Sequence, residues 1–396
     1  GGYKYFDYVD SSSTIVTDEK GAQWTHYYNV HSLDTGLLLP NGSEIKMYYG
    51  ANKKIIAEVD ANGNITKYKY DHKDNLIEIL NPLGDVVQYD YDDTGNLIKS
   101  TDGLGNATHY VYNSRRNLIE KTNPLGAKIY YTYNDSGMMT VFKNEKNSEW
   151  HYVYDVYGNM TKITDPLNKE INYTYNNIGN RLTAVDALNK TTQFQYDNLN
   201  RLTKIIFCDN TEIENFYDAL NLIKVKDQNA RETQYGYDAM NRLISVTDAN
   251  GNTTNYEYDA NGNRTVMRDA NNNATQYYYD ELNRLVKVEY PEVAEGTPTE
   301  IYSYDNNGNL TAKMTANGDT ILYEYDGLSR IIKILYPDSA AVEYVYDTGS
   351  RLLEMRDWIG TTQYEYDSMG QLVKIIYPDN KVLQYENDEA GNLKKF

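Results

Sequence analysis

The chain has little of what a catalytic centre or a charged-ligand site is usually built from. One cysteine, Cys208, in 396 residues leaves no internal disulfide framework. The five histidines (His26, His31, His72, His109, His151) are scattered without metal-ligand spacing, so no cofactor or metal is expected. Basic residues are outnumbered 38 to 57 by acidic ones, a net charge of −19. That balance speaks against nucleic acid, whose phosphates need a basic stripe, and against anionic lipid. No stretch approaches the roughly 18 apolar residues of a membrane span. Residues 1–30 lack the basic start and apolar segment of a signal peptide. Leu, Ile, Val and Phe supply only roughly a fifth of the chain, close to where a conventional core becomes doubtful.

Tyrosine fills the gap: there are 42. A tyrosine followed by Asp or Asn returns every 21 residues, at Tyr28, Tyr49, Tyr70, Tyr91, Tyr112, Tyr133, Tyr154, Tyr175, Tyr196 and Tyr217. After a one-residue deletion the series resumes at Tyr237, Tyr258 and Tyr279. A four-residue insertion delays it to Tyr304, then come Tyr325, Tyr346 and Tyr366, and Asn387 takes the next slot. Such a period means stacked supersecondary units rather than a closed-core domain. The expected organisation is one array over 1–396, with 1–19 a degenerate first repeat and 290–300 an enlarged loop. The start at Gly1-Gly2 and the stop at Phe396 within a repeat suggest a segment of something longer.

Each unit reads as a two-stranded hairpin. In Thr108-His109-Tyr110-Val111-Tyr112 the alternation puts Tyr110 and Tyr112 on one sheet face. Asn113-Ser114-Arg115-Arg116-Asn117 turns the chain, Leu118-Ile119-Glu120-Lys121 returns, and Asn123-Pro124-Leu125-Gly126 leads into the next unit. Asn-Gly and Asp-Gly pairs elsewhere supply the positive-φ positions that tight hairpins need. The return strand is less regular: Leu182 and Val185 are three apart and cannot share one flat face. A bulge or partial cover on both faces would resolve this. About 36 strands at roughly 4.8 Å spacing must curl; closed into one ring they would be about 55 Å across.

The unit Tyr-x-Tyr-Asp-x-x-Gly-Asn-Leu/Arg-Leu-x-x-x-Thr-Asp-x-x-Gly-Asn, as in 89–106 and 256–273, resembles the YD repeats of the Rhs family over nearly the whole chain. That family includes bacterial Rhs and wall-associated polymorphic toxins, the cocoon subunits of insecticidal toxin complexes, and the teneurins. The resemblance implies an all-β spiral of about 18 repeats, a wall segment of a hollow shell that encloses a toxin or other polypeptide cargo, secreted by or displayed on a bacterium. The Asp-Pro-x-Gly-Leu-x-Gly-Gly-like segment associated with self-cleavage in such shells has no counterpart here. Pro337-Asp338 and Pro378-Asp379 lie in ordinary repeat turns.

No catalytic residues are assigned, and the chain is expected not to be an enzyme. Asp60, Asp248, Asp259 and Asp305 open loops that partly resemble Asp-x-Asn calcium sites but lack the closing bidentate Glu; Asx turns account for the same residues. The alternative function is a cell-surface adhesion or carbohydrate-binding module that stacks tyrosines on sugar rings. Arginines preceding Leu (Arg181, Arg201, Arg242, Arg284, Arg351) read as solvated or weakly paired to turn aspartates. Expected partners are polypeptide cargo or adjoining shell segments, and unpaired terminal edges favour edge-to-edge self-association.

Overall fold

In the computed structural model, residues 4–293, 296–387 and 393–395 are described. Residues 1–3 of the degenerate first repeat, and Ala294 and Glu295 of the enlarged loop, lie outside the described residues. The strands pair antiparallel, each with its neighbours in sequence, from Tyr5–Asp10 to Val382–Gln384, in one sheet of 37. A separate two-stranded pair, Glu386–Asn387 and Leu393–Lys395, follows. The all-β spiral expected from the repeat is what forms.

From Gln23 to Ile376, outgoing strands of six residues end in the anchor tyrosines and return strands of five follow, except that Leu352–Asp357 has six and Gly360–Tyr366 seven. In Lys128–Tyr133 exposure alternates strictly, so Ile129, Tyr131 and Tyr133 share the covered face. Cross-strand aromatic contacts run along that face: Tyr131 lies 5.7 Å from Phe142, itself 5.4 Å from Trp150. Such pairs contribute about 0.2–1 kcal/mol each. Among the described residues no side chain is fully buried, and the buried apolar set is Val16, Ala127, Val288 and Val342. Stability is spread along the ladder rather than concentrated in a centre.

A bulge settles the irregular return strand. Thr174 pairs with Thr183 and Tyr175 with Arg181, so Leu182 is the extra residue. The same shift recurs, as where Tyr112 pairs with Leu118 and Val111 with Glu120, leaving Ile119 unpaired. The bulge frees the carbonyl just before it, and the anchor tyrosine of the next repeat uses that carbonyl. The Tyr133 hydroxyl donates to Leu118 O at 2.9 Å, Tyr154 to Met139 O at 2.8 Å, and Tyr258 to Leu243 O at 2.7 Å. Tyr49, Tyr175, Tyr196, Tyr217, Tyr237, Tyr279, Tyr304, Tyr325 and Tyr346 do likewise. Anchor and bulge are one device, and it needs a phenol of that length at that register.

The turns share one chemistry. Asp60 N donates to Asn64 O, Gly63 N to Asp60 O, and the Asp60 carboxylate accepts from the nitrogens of Asn62 and Asn64. The fourth position has positive φ, +88° at Gly63, with Asn or Ser at about 60° in sister turns such as Asn200 and Ser329. This is a type I turn closed by a left-handed residue, a common hairpin connection. Turns that follow an anchor tyrosine form one rim of the ribbon, the anchor rim; turns that follow a return strand form the other, the return rim.

Candidate functional surface at the seam between laps

The ribbon meets itself. The return-rim turn between the sixth and seventh strands (Asp60–Gly63) touches the anchor-rim turn between the twenty-ninth and thirtieth (Asp305–Gly308). The turn between strands two and three touches that between 25 and 26 through Asp18 and Asn261. Strands ten and eleven meet 33 and 34 through Gly103 and Thr348, and twelve and thirteen meet 35 and 36 through Asn123 and Met369. Every crossing spans 23 strands. A lap of that size is about 35 Å across at roughly 4.8 Å per untilted strand, narrower than the ring of about 55 Å that all strands would make. The ribbon overlaps itself instead of closing end to end.

At the best-formed crossing the contacts are reciprocal. Asn62 Nδ2 donates to Asp305 Oδ2 at 2.9 Å, and Asn307 Nδ2 donates to Asp60 Oδ2 at 2.7 Å. Asn261 Nδ2 donates to Asp18 Oδ2 at 2.7 Å, and Lys20 sits 3.3 Å from Asp259. Burial works to raise the Asp60 carboxyl, but the bonds from Asn64, Asn307 and Asn62 outweigh it and hold it below the ordinary range. Burial likewise opposes, and donors from Asn263 and Lys20 overcome, at Asp259. Glycines allow the close approach. A Cβ on Gly327 would lie 3.3 Å from Pro82 Cβ, and one on Gly103 would lie 3.2 Å from Thr348 O. A cleft of about 620 Å³ opens within the seam, bounded by Met47, Glu58, Asp60, Pro82, Arg284 and Leu328.

Three of the four loops considered for calcium therefore sit in the seam. The Asp60 and Asp305 carboxylates face asparagine amides across it, and Asp259 faces Lys20. Asp248 lies apart on the return rim, with its oxygens accepting from Asn250 and Asn252. Among the described residues no group of three or more His, Cys, Asp or Glu converges as a metal site would require.

The arginines hold repeats together more firmly than weakly paired surface groups would. Arg330 Nε donates to Asp326 Oδ2 at 2.7 Å and its Nη1 to Asp347 O, in the next repeat, at 3.2 Å. Its guanidinium lies 4.6 Å from the Tyr346 ring centroid. Arg201, Arg242, Arg284 and Arg351 repeat the pattern on Tyr217, Tyr258, Tyr304 and Tyr366. Arg181 instead takes the Leu slot and lies over Phe194. The seam itself had no signal at the 21-residue period; the only trace was identical Asp-x-Asn-Gly-Asn loops far apart in the chain.

A family model described as teneurin YD-shell matches residues 43–210, 209–361 and 273–395. Among solved structures, the TcdB2-TccC3-Cdc42 crystal structure superposes with a TM-score of 0.73 at 13% identity, covering 96% of this chain and 27% of that one. The TcdB2-TccC3-TEV crystal structure gives 0.69 at 12%, covering 94% and 26%. The Photorhabdus luminescens Tc holotoxin pore carrying the TccC3 mutation D651A gives 0.61 at 14%, covering 99% and 26%. This chain thus spans about a quarter of the length of those structures. A comparison with curated protein sequences finds no match. No helix among the described residues is long and apolar enough to cross a membrane. With a fold like that of those solved structures and a family match from residue 43 to 395, the chain belongs to the teneurin YD-shell family.

Proposed function

We propose that this chain is a length of shell wall that encloses a polypeptide, a non-enzymatic scaffold of an exported bacterial protein. The observation that carries this reading is the seam: laps of 23 strands seat rim on rim, turning a ribbon into the side of a tube. The enclosing role is steric: a continuous hydrogen-bonded ladder and stapled turns form the wall.

Adjoining turns of the same kind of ribbon are the second partner. On the anchor rim of the first lap Tyr157, Ile178, Leu199 and Leu220 are 77%, 60%, 65% and 71% exposed. In the same turn slot Leu282 and Leu328, inside the seam, are half-buried. The exposed row continues the anchor rim of the seam, and a further return rim is what fits it. This exposed row supports self-association through the rims, besides the terminal strand edges.

The test is protease protection of an unstructured reporter polypeptide fused to the chain. Cleavage slower than for the free reporter, and restored to the free rate when the seam is broken by Gly327→Val, supports enclosure. Cleavage at the free rate with an intact seam refutes it, and glycan-array binding by the same protein would then favour the adhesion reading.

A further inference from the structure

Three of the contacts that latch the seam are asparagine amides on facing carboxylates, and each of these three asparagines is followed by glycine. Asn62, Asn261 and Asn307 precede Gly63, Gly262 and Gly308, and each points its Nδ2 at a carboxylate of the facing rim: Asp305, Asp18 and Asp60 respectively. An ionised carboxylate only accepts hydrogen bonds, so the amide nitrogen must be the group that faces it. An Asn-Gly pair is also the dipeptide in which the following backbone nitrogen reaches the side-chain carbonyl with least obstruction, because glycine has no Cβ.

We propose that Asn62, Asn261 and Asn307 are sites of spontaneous deamidation and that their conversion unlatches the seam. The backbone nitrogen of Gly63 attacks Cγ of Asn62, forming a C–N bond and a five-membered succinimide. The side-chain nitrogen leaves as ammonia, taking the proton that the Gly63 nitrogen gives up. Water then opens the ring at one of its two carbonyls, leaving aspartate or isoaspartate; nothing is oxidised or reduced. The same steps apply at Asn261 and Asn307.

The product reverses the sign of the contact. A donor that bridged 2.9 Å to Asp305 Oδ2, or 2.7 Å to Asp60 Oδ2, becomes a carboxylate facing a carboxylate. Isoaspartate also lengthens the backbone inside a turn whose next residue must hold φ near +88°. The latch slows its own loss, because the bound amide must leave its partner before the ring can close. Asn250-Gly251 and Asn317-Gly318 are the internal comparison: both lie on the uncovered return rim, exposed, and neither amide is directed across a seam.

The full chain, aged at mildly alkaline pH and physiological temperature, is separated by charge. Each fraction is then peptide-mapped by mass spectrometry and probed by amide hydrogen exchange. Asn250 and Asn317 are expected to convert first, with Asn62, Asn261 and Asn307 following more slowly. Fractions acidic at 62 or 307 should exchange about tenfold faster or more in turns 60–64 and 305–309, as loss of a charge-assisted bond implies, with turn 248–252 unchanged. The double variant Asn62→Asp with Asn307→Asp should reproduce this without ageing, and Asn250→Asp should not. The proposal is overturned if the three seam residues stay amidated after Asn250 and Asn317 are fully converted. It is equally overturned if the acidic fractions or the double variant exchange at the native rate.

Discussion

Replacing Arg330 by alanine tests whether the guanidinium staple joins repeats or merely decorates them. The side chain makes two bonds of 2.7 Å to Asp326 Oδ2, reaches Asp347 O at 3.2 Å and Ser350 Oγ at 3.1 Å, and covers the Tyr346 ring. Arginine and aspartate side chains are only 16% and 13% exposed. Charge-assisted bonds contribute about 1.5–3 kcal/mol and a partly desolvated cation–π contact about 0.5–2. Asp326 keeps its bonds from Leu328 N and Arg330 N, so its charge is not abandoned. The expected cost is therefore about 2–4 kcal/mol. A repeat array does not unfold as one unit, so the loss should be local to the two turns joined. Amide exchange in turns 326–330 and 347–351 should accelerate by roughly 30-fold or more at 1.4 kcal/mol per decade. Arg231→Ala is the control: Arg231 pairs with Asp227 but is 65% exposed, and such pairs contribute about 0–1 kcal/mol. Arg330→Lys should recover the charge but not the fork. Equal effects from the two alanine variants, or full rescue by lysine, would refute the staple.

Tyr154→Phe removes the hydroxyl that meets the Met139 carbonyl at the bulge. We expect a loss of about 1–2 kcal/mol, read as faster exchange at the flanking turns, with the packing of the ring intact. At high pH the wall should loosen. Burial, then the bond donated to Glu58, push the Tyr68 phenol up to about 12, and burial raises Tyr70, Tyr91, Tyr133 and Tyr154 as well. A raised tyrosine favours folding below the unfolded value of about 10 and loses that contribution as pH climbs through the folded value. Tyrosinate absorbance and circular dichroism should change together above about pH 10; ionisation without structural change would contradict this. Gly327→Val should separate the laps, because its side chain meets Pro82 and Asn64. Small-angle scattering should show a looser spiral with unchanged strand content.

The hairpin unit and the spiral class were legible because one signal was repeated many times: alternating tyrosines gave the face, and Asp-x-x-Gly-Asn gave the turn. The bulge was half legible. Leu182 and Val185 advertised a conflict, but only the pairing of Tyr175 with Arg181 says which residue is extra. The partner of each anchor phenol was hidden because it is a backbone carbonyl, which carries no letter in the sequence. The arginine staple was undervalued for a related reason: a salt bridge to Asp326 can be guessed from spacing, whereas the ring of Tyr346 comes within reach only through strand pairing. The seam was illegible locally. Whether Asp60 faces a cation, water or Asn307 depends on the curvature accumulated over 23 strands, which no window of sequence encodes.

That curvature, rather than seam chemistry, sets the lap. From Asp18 to Asp259 the crossing spans 241 residues, from Asp60 to Asp305 245, and from Asn123 to Asp367 244, yet the strand offset is always 23. The enlarged turn after Glu289 and the shortened one at Asp357–Gly360 change the residue count without changing the strand count. An odd offset is also what seats a return-rim turn directly on an anchor-rim turn. Deleting residues 176–196, one whole repeat, separates the two possible controls. If the ladder sets the lap, the Asp60 turn will meet the Asp326 turn and the Asn62–Asp305 latch will be lost. If the latches set it, the lap will contract to 21 strands and keep them. We expect the ladder to win, since antiparallel pairing acts on every strand while latches act at a few turns. Ala61→Cys and Asn306→Cys, which lie in the same two turns and leave the Asn62 and Asn307 latches in place, are joined in a Cys208→Ser background by a short thiol cross-linker and report the result. Cross-linking should occur in the full chain and fail after the deletion; efficient cross-linking in both would show that the seam bends the sheet to fit.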